Sequence, residues 1–176
     1  MQAGASVLDQ TVLHLQEIST LAGQINSASV EKLIEWMGDD DPIIRSEAGL
    51  HPWNKQSSEL TFTGLLLKMR QGLQDPNPLR RAAIAESLAL WEHDTVVVFL
   101  SQALEDQEPL VRVSAASALG QIRDVASVPV LTAALSDSSM WVRRAAAAAL
   151  GAVGAPQAVS AIEKALNDSQ QLVRCS

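Results

Sequence analysis

A segment that recurs every 31 positions restricts the fold of this chain more than any other feature of its sequence. Each copy contains a Leu, an Asp two positions later and a Val-Arg pair beyond a four-residue gap. The copies are Leu104, Asp106 and Val111-Arg112; Leu135, Asp137 and Val142-Arg143; and Leu166, Asp168 and Val173-Arg174. So many matches in one register exclude chance, and they predict a stack of similar structural units.

Two earlier copies extend the pattern toward the N-terminus. One lies a single period upstream, and a looser one lies 36 positions before that. Their matching residues are Leu73, Asp75, Arg81, Ala85 and Leu88, and then Met37, Asp39, Ile44, Arg45 and Ala48. The extra length falls around residues 51–54, where we expect an insertion.

Apolar residues within one unit follow the spacing of two successive helices. The first predicted helix carries Val128, Leu131, Ala134 and Leu135, and the second carries Val142, Ala145, Ala146, Ala149 and Leu150. Ser127 is the expected N-cap of the first helix, and Gly151 and Gly154 are expected at the end of the second. Each unit is therefore predicted to be a helix hairpin.

The segment Thr95 to Phe99 favours a strand by propensity, but it aligns with Ala126 to Val130 and is therefore predicted to be helical. We predict a single all-α domain over residues 1–176. It comprises an N-terminal capping helix at 6–23, repeats at 27–53, 58–90, 94–120 and 126–151, and an incomplete fifth repeat at 155–176.

The last repeat stops at residues 173–176, where its second helix should begin. A hairpin that lacks its second helix leaves an apolar stripe uncovered. Two explanations are open: the natural chain is longer, or the chain associates with another copy of itself through this end.

Charge and composition argue against several function classes. The chain has 13 Lys and Arg against 20 Asp and Glu, a net charge of −7, which repels a nucleic-acid backbone. Its apolar stretches are far shorter than the roughly 20 residues of a membrane span. The N-terminus lacks a signal-peptide pattern and there is one Cys, so we expect a cytoplasmic protein that binds neither nucleic acid nor membranes.

The pattern Leu-x-Asp-(four residues)-Val-Arg-x-x-Ala-Ala-x-x-Leu-Gly resembles the short HEAT-like repeat of phycobilisome chromophore lyases, over roughly residues 27–174. This resemblance implies an α-solenoid of about four to five HEAT-like hairpins. The same repeat occurs in bilin lyase subunits, in phycobilisome-degradation proteins and in deoxyhypusine hydroxylase, so the resemblance specifies the fold more than the function.

The hydroxylase-type resemblance implies a di-iron site held by paired His-Glu motifs. The sequence contains no His-Glu dipeptide, and the nearest pair, Glu92-His93, is reversed. The run at residues 39–41 lacks the later Gly and the closing Glu of a cation loop, and the remaining His residues are far apart. We therefore predict no catalytic, cofactor-binding or metal-binding residues.

The repeated charged residues are predicted to be structural. An Asp between two helices can cap the second helix, and an Arg one turn into that helix can bond to the loop Asp of a neighbouring unit. The ladder predicted in this way consists of Asp106, Arg112, Asp137, Arg143, Asp168 and Arg174.

The candidate binding surface is a line of large apolar residues on the second helices. The residues before the Val-Arg positions are Ile43, Leu79, Leu110 and Trp141. Helical spacing places them opposite the core, on the flank that lines the concave groove of this architecture, next to Val113 and Arg144. Two interpretations are open: these residues bind a partner, or their side chains fold over the inter-helix loop and complete the core.

These features predict a non-enzymatic scaffold that binds a peptide or helix of another protein, preferentially a basic one, because the chain is acidic. The alternative, implied by the family resemblance, is a subunit of a bilin lyase whose groove holds a tetrapyrrole, with Arg144 near a propionate. Trp53, in the insertion at 51–57, either contributes a contact or fills the shortened first repeat, and both interpretations are open.

Overall fold

The computed structural model describes residues 7–22, 32, 35–36, 67–91 and 94–175. All regular secondary structure in these ranges is helical, which confirms the predicted all-α class. The helices are α1 (Val7–Ala22), α2 (Pro78–Leu88), α3 (Asp94–Ala103), α4 (Pro109–Ile122), α5 (Val128–Ala134), α6 (Met140–Val153), α7 (Val159–Ala165) and α8 (Gln171–Arg174). Residues 67–72 are also helical, and two 3₁₀ turns, Val125–Ser127 and Pro156–Ala158, lead into α5 and α7.

The chain divides into two compact units, residues 1–84 and 85–176. In the first unit, α1 confirms the predicted N-terminal helix. The Trp36 side chain is buried there, and its ring lies 5.5 Å from the His14 ring, centroid to centroid. Most of the predicted repeat 1, including Ile43, Asp39 to Asp41 and the insertion at 51–57, lies outside the described residues.

The second unit contains three successive helix pairs, α3 with α4, α5 with α6, and α7 with α8, in the order expected of an α-solenoid. Helix α3 covers the segment whose residues favour a strand. Val97 and Leu100 of α3 are buried at the positions that Val128 and Leu131 occupy in α5. Burial in the repeat therefore outweighs the intrinsic preference of β-branched residues.

Helices α4 and α6 pack closely because Gly120 has no side chain. A Cβ atom at this position would lie 2.8 Å from the Ala149 Cα and 2.9 Å from its Cβ. Gly151, the equivalent residue of the next repeat, has no atom within 4 Å of such a Cβ. The prediction that Gly151 ends a helix is wrong, because α6 continues to Val153 and the chain turns only at Gly154.

The second helices α4 and α6 end in the same backbone conformation. Arg123 and Gly154, at equivalent positions of successive repeats, both adopt left-handed dihedrals, with φ of 57° and 65°. Their N–H groups donate to the carbonyl oxygens of Leu119 and Leu150. Glycine adopts this conformation without steric cost, whereas the Arg123 side chain is strained in it.

Among the residues that the structure describes, no helix is both long enough and apolar enough to cross a membrane.

Candidate functional site

The loop between the two helices of a repeat is organised by its Asp. The Oδ1 atoms of Asp106, Asp137 and Asp168 accept hydrogen bonds from the N–H groups two positions later, at 2.9, 2.7 and 2.8 Å. These acceptor contacts form a turn before the helix. The expectation that the Asp itself is the N-cap is wrong, because the N-cap residues are Glu108, Ser139 and Gln170, which make no side-chain cap bond.

Consecutive repeats of the second unit are joined by Arg-Asp pairs. Arg112 donates from Nε and Nη2 to the two carboxylate oxygens of Asp137, at 2.7 and 2.9 Å. Arg143 makes the same two bonds to Asp168, at 2.7 and 3.1 Å. This parallel two-bond geometry is the strong form of the pair, because both donors of the guanidinium fork are aligned with both acceptors.

Each Arg of these pairs also fastens the loop of its own repeat. The Nη1 atom of Arg112 donates to the Asp106 carbonyl at 2.8 Å, and that of Arg143 donates to the Asp137 carbonyl at 2.9 Å. Arg174 donates in the same way to the Asp168 carbonyl at 2.7 Å. The repeated charges of the second unit are thus occupied by contacts that hold the loops in place.

The pairs change the acidity of the carboxyl groups. The hydrogen bonds from Arg143, reinforced by the Gln170 N–H group, lower the pKa of Asp168 to about 2 from an ordinary value of 3.8. The hydrogen bonds from Arg112 likewise lower the pKa of Asp137. Both carboxylates stay ionised at neutral pH, as a structural ion pair requires.

Large apolar side chains lie exposed at the second position of the second helices. Leu110 on α4 is 47% exposed and Trp141 on α6 is 52% exposed. Leu79, at the equivalent position of α2 in the first unit, is half-buried. Ile43, the remaining member of the predicted line, lies outside the described residues.

Leu172 continues this line and was missed by the sequence-based prediction. It lies one repeat period after Trp141, at the second position of α8, and is 49% exposed. The period alone would have identified it, since it precedes the Val173-Arg174 pair as Trp141 precedes Val142-Arg143. We call Leu110, Trp141 and Leu172 the apolar row.

The buried and the exposed residues of α6 lie on opposite sides of the helix, as their spacing predicts. Val142, Ala146 and Leu150 are buried, whereas Arg144 and Ala148 share the exposed flank with Trp141. On α4, the predicted contact residue Val113 is half-buried and Ser117 is exposed. The exposed flanks of both helices therefore combine one large apolar residue with small ones.

A shallow depression of about 480 Å³ lies between α4 and α6 on this side. Its lining is Ser117, Gly120, Gln121, Arg123, Ala145, Ala148, Ala149 and Ala152. Five of these eight residues are Gly or Ala, so the depression is open, and its polar side chains are those of Ser117, Gln121 and Arg123. Within the described ranges, no group of three or more His, Cys, Asp or Glu side chains is arranged to hold a metal ion.

Comparison with known proteins identifies the repeat. A family model described as HEAT repeats matches residues 66–139 and 99–176. The chain is also similar to the structure of human deoxyhypusine hydroxylase in complex with glycerol, with a TM-score of 0.56 and 20% sequence identity, over 94% of this chain and 77% of that one. At this identity the similarity concerns the fold. Among curated proteins, none matches the sequence significantly.

Proposed function

Since the chain belongs to the HEAT-repeat family, we propose that it is a non-enzymatic scaffold that binds a segment of a partner protein along the apolar row. The observation that carries this proposal is the exposure of Leu110, Trp141 and Leu172 at equivalent positions of three successive repeats. Large side chains aligned across neighbouring helices form a continuous contact surface, and aromatic residues are enriched where binding energy is concentrated.

Burial within α6 supports a binding role over a core role for Trp141. Its neighbour Val142 is fully buried, whereas about half of the Trp141 side chain is open to solvent. Covering such side chains would contribute roughly 1.5–3 kcal/mol each if they became fully buried. The net charge of −7 favours a partner with net positive charge, because opposite charges accelerate association.

The non-enzymatic part of the proposal is supported by the repeated charged residues. Arg112, Asp137, Arg143 and Asp168 bind one another or nearby loop atoms, so their charges are used to join repeats. Groups of this kind, neutralised in pairs, are poorly suited to move a proton to or from a substrate.

The test is an affinity isolation from a lysate of the source organism in which three baits are compared. They are the wild-type chain, the Leu110→Ala/Trp141→Ala double variant and Val98→Ala. Val98 is a matched control, because it is 54% exposed on α3 but lies outside the row. We expect one protein to be retained by the wild type and by Val98→Ala, and to be lost from the double variant. Its direct binding is then measured with purified components.

Three results would contradict the proposal. Equal retention by all three baits would place the contact outside the row. A pigment retained in place of a protein, detected by its visible absorbance, would favour the bilin-lyase alternative. Thermal melts of the double variant are part of the experiment, since a large loss of melting temperature would show that the row belongs to the core.

A further inference from the structure

We propose that two copies of this chain form a two-fold dimer through one side of the repeat that comprises α7 and α8. We call this surface the open face, and its residues are Val159, Ile162, Glu163, Leu166 and Arg174. In the dimer, Arg174 of each protomer is paired with Glu163 of the other. The inference goes beyond the proposed function, because it concerns a surface other than the apolar row.

Equivalent positions of successive repeats identify the open face. Val97 and Val128 are 7% and 6% exposed, whereas Val159, at the equivalent position of α7, is 55% exposed. Leu131 on α5 is fully buried, whereas its equivalent Ile162 is half-buried. In the part of the chain that the structure describes, no repeat lies beyond α8. The exposure of these side chains therefore reflects the lack of a covering neighbour.

The junction between the preceding repeats shows which side of α7 a neighbour would cover. Thr132 and Leu135 of one repeat line a small depression whose other wall belongs to the next repeat. Their equivalents one period later are Glu163 and Leu166, which are both exposed. Because equivalent residues of a repeat stack point in equivalent directions, Glu163 and Leu166 lie on the side that a neighbour would cover.

Arg174 has hydrogen-bond donors that its equivalents use between repeats. Its Nη1 atom donates to the carbonyls of its own loop, as in the preceding repeats. Arg112 and Arg143 also donate from Nε and Nη2 to a carboxylate of the following repeat. The Nε and Nη2 atoms of Arg174 bond to no other described residue, and its side chain is exposed. A carboxylate suits this position, because its two oxygens match both donors.

The open face is complementary to itself, which favours a second copy as its occupant. Its apolar side chains share the surface with one exposed cation, Arg174, and one exposed anion, Glu163. In a two-fold interface every contact occurs twice, because the same surface of both protomers takes part. Apolar side chains then cover apolar side chains, and each Arg174 receives a carboxylate, so neither charge is buried alone.

Glu163 distinguishes a second copy from a further repeat of the same type. Its equivalents on α3 and α5 are Ser101 and Thr132, which carry no charge. The next repeat places the Asp168 carboxylate in the depression that Thr132 lines. A further repeat of this kind would thus place a carboxylate near Glu163 and supply no cation. A second copy supplies the guanidinium of Arg174.

Sedimentation velocity of the full chain tests the proposal, in a reducing buffer so that the exposed Cys175 cannot form an intermolecular disulfide. We expect the wild type to change from monomer to dimer between micromolar and submillimolar concentrations. Val159→Glu should raise the dissociation constant at least tenfold, because it places a carboxylate of each protomer in the apolar part of the interface. Val98→Glu should leave it unchanged, and Val98 is a matched control because it is a helical Val of 54% exposure outside the open face.

Charge exchange tests the ion pair and the two-fold symmetry. Arg174→Glu and Glu163→Arg should each weaken dimerisation at least tenfold, because each brings like charges together at two places. The double variant should dimerise again. An equimolar mixture of the two single variants should also form dimers, since both pairs then join opposite charges. Recovery in the mixture excludes misfolding of Arg174→Glu, which loses its bond to the Asp168 carbonyl.

A wild type that stays monomeric throughout this concentration range would overturn the proposal and leave the open face to a different occupant. A dimer that Val159→Glu does not weaken would place the interface elsewhere. If neither the double variant nor the mixture recovers dimerisation, the pairing of Arg174 with Glu163 is wrong. The proposed function is judged separately, because its test depends on Leu110 and Trp141.

Discussion

Arg112 and Asp137, 25 positions apart in the chain, are joined by two hydrogen bonds, from Nε to Oδ2 at 2.7 Å and from Nη2 to Oδ1 at 2.9 Å. Both side chains are largely covered, with 11% and 14% of their surface exposed. The pair joins α4 to the loop between the two helices of the next repeat. Its two residues therefore contribute to the packing of repeats in addition to holding the loops of their own repeats.

Removal of a paired Arg should destabilise the fold more than removal of an unpaired one. We expect Arg112→Ala to lower the free energy of unfolding by about 1.5–3 kcal/mol, because it leaves the partly covered Asp137 carboxylate without its charged donor. Arg144→Ala, at an exposed position, should change it by less than about 0.5 kcal/mol. Urea denaturation measures both values, and equal effects of the two variants would contradict a structural role for the pair.

Stability should decline when the paired carboxylates are protonated. The folded-state pKa of Asp168 is about 2, and that of Asp137 is also lowered, both below the ordinary value. Their contribution is therefore fully present above about pH 4 and is lost as the pH falls toward 2. Melting temperatures measured from pH 5 to pH 2 should fall less steeply for Asp168→Asn than for the wild type, since that variant cannot titrate at this position. Parallel curves would refute the assignment.

The two equivalent glycines should respond oppositely to the same substitution. Gly120→Ala places a Cβ within 3 Å of Ala149, and we expect it to cost about 1–3 kcal/mol through overpacking. Gly151→Ala meets open space inside α6 and should stabilise the chain by up to about 1 kcal/mol, because Ala favours helix. Chemical denaturation of both variants tests this, and a similar loss in both would show that the close approach at Gly120 does not matter.

Glycine should be preferred at the left-handed position that ends α4. We expect Arg123→Gly to raise the free energy of unfolding by about 0.5–1 kcal/mol, because the residue has φ of 57° and a side chain that is not buried. Gly154→Ala, the reverse change at the equivalent position, should lower it by a similar amount. A destabilised Arg123→Gly variant would mean that the Arg123 side chain makes a contact that outweighs its strain.

The repeat period determines which parts of this fold can be predicted. It placed the segment Thr95 to Phe99 in a helix against its local preference, because equivalent residues in each copy occupy equivalent positions in the core. It also placed Trp141 on the flank opposite Val142, which is buried. The period predicts the position of Leu172 in the same way, although the final copy of the repeat is short.

Features that depend on contacts between helices could not be derived from local sequence. Gly120 and Gly151 both follow an Ala-Leu pair, and the close approach of Ala149 to Gly120 alone distinguishes their packing. Asp is a favourable N-cap residue, so the Asp of each loop is expected to cap the second helix. The turn that follows the Asp places the N-cap two residues further along the chain. Whether the row completes the core or faces solvent likewise depends on how neighbouring side chains pack.

The Arg-Asp pairs also limit where residues can be added to or removed from the sequence. Each pair takes its cation from one repeat and its anion from the next, and each Arg holds the loop of its own repeat as well. Duplication or loss of one whole repeat therefore leaves every internal charge with a partner. An insertion inside one of the helices would move an Arg or an Asp out of register with its partner, whereas extra residues in an exposed connecting loop can bulge outward. The ion pairs thus permit growth by tandem duplication and penalise insertions that shift a helix out of register.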